Sequence, residues 1–406
     1  MKFLFWLNLF VAFILVFIFL LIPISAQFHF LTGTVNNAAD GTGANTYNIT
    51  VYKTDTPTNN LSDYVGPTCS NGGCLDNEYI IDCKLASPPC TNNQNWSVRI
   101  YNNGSNYITW VATVIITTAG YDNVSNLTLN TPPNTTFVTT LDDSTINPAN
   151  EVDLLAGSNR TVFCNATITD ADGFAGISSA SSVLYDNVSS SAGASDARAT
   201  HYTNSTCSLF DGSGDKRGAE CAFSVAYYAT NTTWACNVTA TDNHSISGRQ
   251  GVDYSTINEL IALGLPDTIS FGSVSPGGTS LINKTNITNL GNKELDLSIY
   301  GYANDYNQSD NAMNCTNNVN ISLYYLRYNA SDFNALGVQC ASLSWTANYW
   351  NLSNVTNARN WTNFNLGKQN VEGTLMRNYT CWVLQLPLGV SGTCRGIVSI
   401  SAFKST

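Results

Sequence analysis

The sequence predicts an all-β chain: three tandem β-sandwich domains behind an apolar N-terminal segment. Short apolar runs alternate with polar residues and are punctuated by Gly, Asn, Asp and Pro, the two-residue period of strands with one buried face. Twelve cysteines fall in three sets of four, at 69, 74, 83 and 90, at 164, 207, 221 and 236, and at 315, 340, 381 and 394. No helical period follows the N-terminal segment, and charged residues are only 11% of the chain. That is too few for the Glu/Lys pairing of coiled coils and solvent-bridging helices.

The first element is residues 1–26. Met1-Lys2 leads into the apolar run Phe3–Ile22, broken only by Asn8, and then Pro23 and Ser25-Ala26. One positive charge, an apolar stretch and a small residue at the boundary predict a secretory signal cleaved after Ala26. A run of about 20 residues is also long enough to remain as a membrane anchor. Domain one is expected over 27–128, with Phe30–Val35, a turn at Asp40-Gly41, the alternation Tyr47, Ile49, Val51, and a strong strand over Tyr107–Thr118 carrying Trp110. The Pro pair in Leu129–Thr136 ends it as a linker, because Pro cannot continue a sheet ladder. Domain two is expected over 137–249 and domain three over 257–406.

The middle domain is the most legible. Val162, Cys164, Ala166 and Ile168 alternate with polar neighbours, and so do Trp234, Cys236, Val238 and Ala240. Cys164 and Cys236 thus lie on apolar faces, with Asn165 and Asn237 expected on the wet ones. Two inward cysteines about 70 residues apart can join packed sheets, as in immunoglobulin sandwiches. Cys207 and Cys221 flank the Gly-rich stretch Leu209–Gly218 and are expected to pair across a hairpin. In an exported chain, even sets mean disulfides within each domain. The spacing of Cys69, Cys74, Cys83 and Cys90 lacks the tight knuckles of zinc sites, and their pairing stays open.

Asparagine occurs 51 times, and about 24 Asn-x-Ser/Thr acceptors are present where composition alone gives roughly 10. Asn48, Asn165, Asn237, Asn286 and Asn354 are among the expected glycan sites. Glycans would supply the solubility that charge supplies elsewhere. Seventeen Lys and Arg against 28 Asp and Glu, a net charge of −11, exclude a phosphate-tracking nucleic-acid surface.

Leu31-Thr-Gly-Thr-Val35, Asp40–Asn45 and Asn48-Ile-Thr-Val-Tyr52 resemble the opening of carboxypeptidase-regulatory-like, or transthyretin-like, modules. Cys164–Gly173 and Trp234–Asn243 resemble immunoglobulin-like repeats of archaeal surface proteins, with Trp234 where antibody-type domains carry a corner tyrosine. Ile269–Gly277 and Thr288-Asn-Leu-Gly-Asn292 look like archaeal S-layer-associated modules, and more distantly like camelysin-type fibre proteins. This resemblance to multi-domain cell-surface glycoproteins implies sandwich folds and an extracellular place, and no activity. It also implies, with Cys394 opening the closing hairpin, the pairs Cys315–Cys394 and Cys340–Cys381.

Chemistry is scarce. His29, His201 and His244 form no metal-binding pair, and Gly212-x-Gly214-x-x-x-Gly218 lacks the strand–turn–helix context of a phosphate loop. Asp170, Asp172 and Asp242 gather oxygens of the kind calcium takes, though Asp-Gly and Asp-Asn are also turn formers. Trp345, Trp350 and Trp361 could stack on sugar rings, although tryptophan more often packs a core. The expectation is a non-enzymatic structural or adhesive protein at the cell surface, needing no cofactor and meeting envelope or extracellular proteins and glycans. It would touch membrane only through an uncleaved N-terminal segment. A carbohydrate-binding protein and a self-assembling fibre subunit are the alternatives, and no deep polar cleft is expected.

Overall fold

A computed structural model describes residues 28–37, 45–101, 108–109, 112–141, 151–243, 245–304, 310–317, 319–331, 340 and 348–405. The N-terminal segment, the Asp40-Gly41 turn, Trp110, His244 and Trp345 lie outside the described residues.

The described residues up to Pro132, with Asp170–Gly173, make one compact unit. Its strands are β1 (Phe30–Asn37), β2 (Asn48–Lys53), β3 (Thr56–Tyr64), β4 (Glu78–Asp82) and β5 (Asn95–Tyr101). They continue as β6 (Ile108–Thr109), β7 (Ala112–Ile115), β8 (Tyr121–Asn123) and β9 (Leu127–Asn130). All nine join in one sheet, in the order β3-β2-β5-β6-β9-β1-β4, with β7 beside β5 and β8 beside β1. Leu31, Val35, Ile49, Val51, Trp96, Val98, Ile100 and Leu129 meet in a single core. Within the strand expected over Tyr107–Thr118, the described residues form β6 and β7, both paired with β5, and β6 also pairs with β9. Cys69 binds Cys74 and Cys83 binds Cys90, closing two short local loops.

The second unit holds residues 133–169 and 174–406. Its first sandwich has β10 (Asn134–Leu141), β11 (Glu151–Val152), β12 (Arg160–Thr169), β13 (Ile177–Asp186) and β14 (His201–Asn204). It is completed by β15 (Ser208–Ser213), β16 (Lys216–Val225), β17 (Thr233–Asp242) and β18 (Gly251–Ile257). One sheet runs β10-β12-β16-β15 and the other β11-β18-β17-β13-β14, the two-sheet arrangement of immunoglobulin domains. Val162, Cys164, Ala166 and Ile168 of β12 are buried as their alternation predicts, each worth roughly 1.5–3 kcal/mol when it is a full aliphatic side chain. Cys164 on β12 bonds Cys236 on β17, joining the sheets.

Cys207–Cys221 braces β16 beside them. The Gly-rich stretch is the β15–β16 hairpin, turned at Gly214 with φ +61°, a left-handed conformation that glycine adopts without strain. β18 pairs with β17 and β11, so the second sheet of this sandwich runs on to Ile257.

Two details depart from simple alternation. Trp234, fully buried two residues before Cys236, donates its indole N–H to Thr230 O at 2.9 Å. It thereby makes the backward bond of a corner tyrosine with a different ring. Asn237, expected on the wet face, is 6% exposed, because Gln250 lies over it and accepts from its Nδ2 at 2.8 Å.

Domain three opens with β19 (Leu263–Gly264), β20 (Asn283–Asn289), β21 (Leu295–Tyr302), β22 (Asn311–Cys315), β23 (Asn320–Ser322) and β24 (Leu326–Asn329). It continues with β25 (Trp350–Asn351), β26 (Arg359–Leu366), β27 (Arg377–Leu384), β28 (Cys394–Arg395) and β29 (Ile397–Lys404). The sheets are β19-β20-β27-β24-β25, β26-β21-β29 and β23-β22-β28. They enclose a core with Leu297, Ile299, Tyr328, Trp361, Phe364 and Trp382. Cys315 and Cys394 face each other across β22 and β28 and are bonded, and Cys340 bonds Cys381 on β27.

Candidate functional site

Domains two and three meet at a junction built from the motif Thr288–Asn292. The β20–β21 turn places Asn292 2% exposed beneath the loop that ends β16. Its Nδ2 donates to Ala229 O at 3.1 Å and to Asn258 O at 3.0 Å, while its Oδ1 accepts from Leu260 N at 2.8 Å. Backbone bonds continue the seam: Asn292 N to Leu260 O, Leu290 N to Ala262 O, and Gly157 N to Leu290 O. Gly291 is required here, since a Cβ would collide with the Leu260 carbonyl. Asn289, with no exposed surface, holds the turn itself: its Nδ2 donates to the Lys293, Leu366 and Gly367 carbonyls and its Oδ1 accepts from Gly291 N.

Tyr227 and Tyr228 pack edge to face with Ala226, Ala199 and Leu260 against the same seam. Tyr227 OH donates to Gln369 Oε1, and Arg198 pairs with Glu372. Burial pushes both phenols up, so both stay protonated at neutral pH. Beside the seam lies a cleft of about 470 Å³, lined by Thr230–Thr232 of domain two and by Asn292–Glu294, Gly367, Lys368, Asn370 and Met376 of domain three. The cleft is open to solvent and is bordered by both domains. Only residues 258–262 separate β18 from β19, and the ends of the two sandwiches form the cleft's walls.

Asp186, at the end of β13 and 1% exposed, fixes the domain-two wall. Its carboxylate accepts from Thr230 Oγ1, Thr232 Oγ1, Ser189 Oγ and Val188 N at 2.6–2.9 Å. Burial opposes its charge, but those four donors win and hold it below the usual carboxylate range. Its stabilisation is therefore full above the unfolded value near 3.8 and is lost as pH falls through the folded one. Asp186→Asn is expected to cost about 2–3 kcal/mol at pH 7 and to flatten the fall in melting temperature below pH 4. An acid melting series that leaves the two curves parallel would contradict this.

The remaining candidates are dispersed. His29 Nε2 meets Asp122 at 2.6 Å in the first unit, and His201 Nδ1 meets Asp196 at 2.9 Å in the second. Asp122 is opposed by burial yet held low by Thr117 and His29. Asp170 Oδ1 accepts from Asp172 N and Asp242 Oδ1 from Ile246 N, both local turn bonds, while Asp172 Oδ2 accepts from the distant Thr131 N. Among the described residues no three His, Cys, Asp or Glu side chains are placed to hold a metal ion.

Trp361 is a core residue, 5% exposed, donating to Tyr328 OH. Trp350 is exposed, with the Arg359 guanidinium 3.6 Å over its ring. These tryptophans therefore do not form one open stacking face. The described acceptor asparagines are exposed or half-buried except Asn237, Asn329 and Asn378; Asn48, Asn165 and Asn354 are half-buried and Asn286 is exposed.

No protein-family model matches the chain, and no curated protein matches it. Among solved structures it is similar to the major pilin subunit BcpA of Bacillus cereus, at 6% identity and TM-score 0.26, covering 68% of this chain and 77% of that one. It is also similar to the major pilin SpaD of Corynebacterium diphtheriae, at 11% identity and TM-score 0.24 over 68% and 72%. A tetra-tandem repeat from the extending region of a large adhesion protein gives 7% identity and TM-score 0.24 over 93% and 74%.

Proposed function

We propose that the protein is an exported, non-catalytic structural or adhesive surface protein whose second and third domains, each stapled by its own disulfides, act as one body. The Asn292 junction carries this reading: three side-chain bonds from the buried Asn292 and a backbone seam make two sandwiches resist separation together. Six disulfides with no free cysteine support an oxidising compartment. The cleft's ionisable side chains are Lys293, Glu294 and Lys368, with no histidine or cysteine among them.

Labelling intact cells with a membrane-impermeant reagent tests the reading. The protein is expected to be labelled, free of thiols, and glycosylated at exposed acceptors such as Asn60, Asn286 and Asn320. The buried Asn237, Asn329 and Asn378 are expected to stay bare. Recovery from the cytosol with reduced cysteines would end it.

A further inference from the structure

We propose that the cleft between domains two and three binds a carboxylate-bearing sugar, with Lys293 and Lys368 taking the carboxylate. Both lysines line the cleft, in a chain with only 17 basic residues against 28 acidic ones. Neither is neutralised closely. Lys293 has Glu259 at 3.9 Å, a carboxylate shared with Lys404 at 3.7 Å. No carboxylate among the described residues pairs with Lys368. Glu294 also lines the cleft but is exposed to solvent, which screens its charge, and the carboxylate of Asp186 is already saturated by four donors.

Half-burial and the neighbouring Lys293 press the Lys368 ammonium toward its neutral form, against a weaker pull from Asp186. A positive group held this way destabilises the fold, and an arriving anion would relieve it.

Size and lining favour a sugar over a lone anion. About 470 Å³ is within the roughly 300–1,000 Å³ of small-molecule sites and many times the roughly 30 Å³ share of a water. Asn231 and Asn370 offer amide groups to ring hydroxyls, and Met376 an apolar surface. Asn231 Nδ2 is committed to Ile257 O at 2.7 Å, which leaves its carbonyl oxygen as the acceptor. Because one wall belongs to each domain, an occupant would bridge them.

The test is calorimetric titration of the full chain with trigalacturonate, neutral galactotriose, inorganic sulfate and a triglutamate peptide. Trigalacturonate is expected to bind and galactotriose at least tenfold more weakly. Lys293→Gln with Lys368→Gln is expected to lower trigalacturonate affinity by at least tenfold. Lys368→Met, which removes a half-buried charge, is expected to lose binding without lowering the melting temperature. Sulfate binding as tightly as trigalacturonate would reduce the site to a simple anion site and overturn the proposal. So would equal binding of triglutamate, no binding of trigalacturonate, or a Lys368→Met variant that melts lower yet binds unchanged.

Discussion

Replacing Cys164 and Cys236 together by alanine is expected to lower stability by about 4 kcal/mol, the chain-entropy value for a loop of this length. The bridge closes 72 residues and joins the two sheets, so its loss frees the unfolded chain and loosens the core around Trp234 at once. The melting temperature should fall by on the order of 10 °C or more. Replacing Cys69 and Cys74, which close only five residues, should cost about 2 kcal/mol by the same relation. Urea unfolding of both variants measures the ratio. Equal losses would mean that the long bridge contributes no more than a local clip.

Asn292→Ala is expected to be the next most damaging change. It strands the Leu260 amide and the carbonyls of Ala229 and Asn258 in a partly buried seam. Each orphaned group costs about 1–3 kcal/mol, so a total of about 3–5 kcal/mol is expected. The loss falls on the contact between domains rather than on either core. The unfolding curve should therefore separate into two transitions, followed by Trp234 burial in one domain and Trp382 burial in the other. Asn292→Asp should resemble alanine, because it keeps the acceptor but turns a charge toward two carbonyls. A single transition with unchanged midpoint would contradict the role of Asn292.

Much of the middle domain was readable from alternation. Val162, Cys164, Ala166 and Ile168 declare a one-sided strand, and two such strands with inward cysteines imply packed sheets. Asn237 was not readable, because the residue that covers it, Gln250, lies in an irregular stretch before β18 with no period of its own. The junction was hidden for a similar reason. Thr288–Asn292 looked like part of one module, but Asn292 reaches carbonyls 63 and 34 residues away. Side-chain bonds to distant backbone leave no trace in local pattern. The lysine cleft is likewise assembled from three segments, each of which reads as an ordinary turn.

Amide hydrogen exchange on the full, oxidised chain tests the central claim most directly. If domains two and three are one body, the amides of Leu260, Leu290, Gly291 and Asn292 open with the same free energy as the β17 and β21 cores. Exchange of those four amides orders of magnitude faster than the cores would show a junction that opens on its own, and two independent modules.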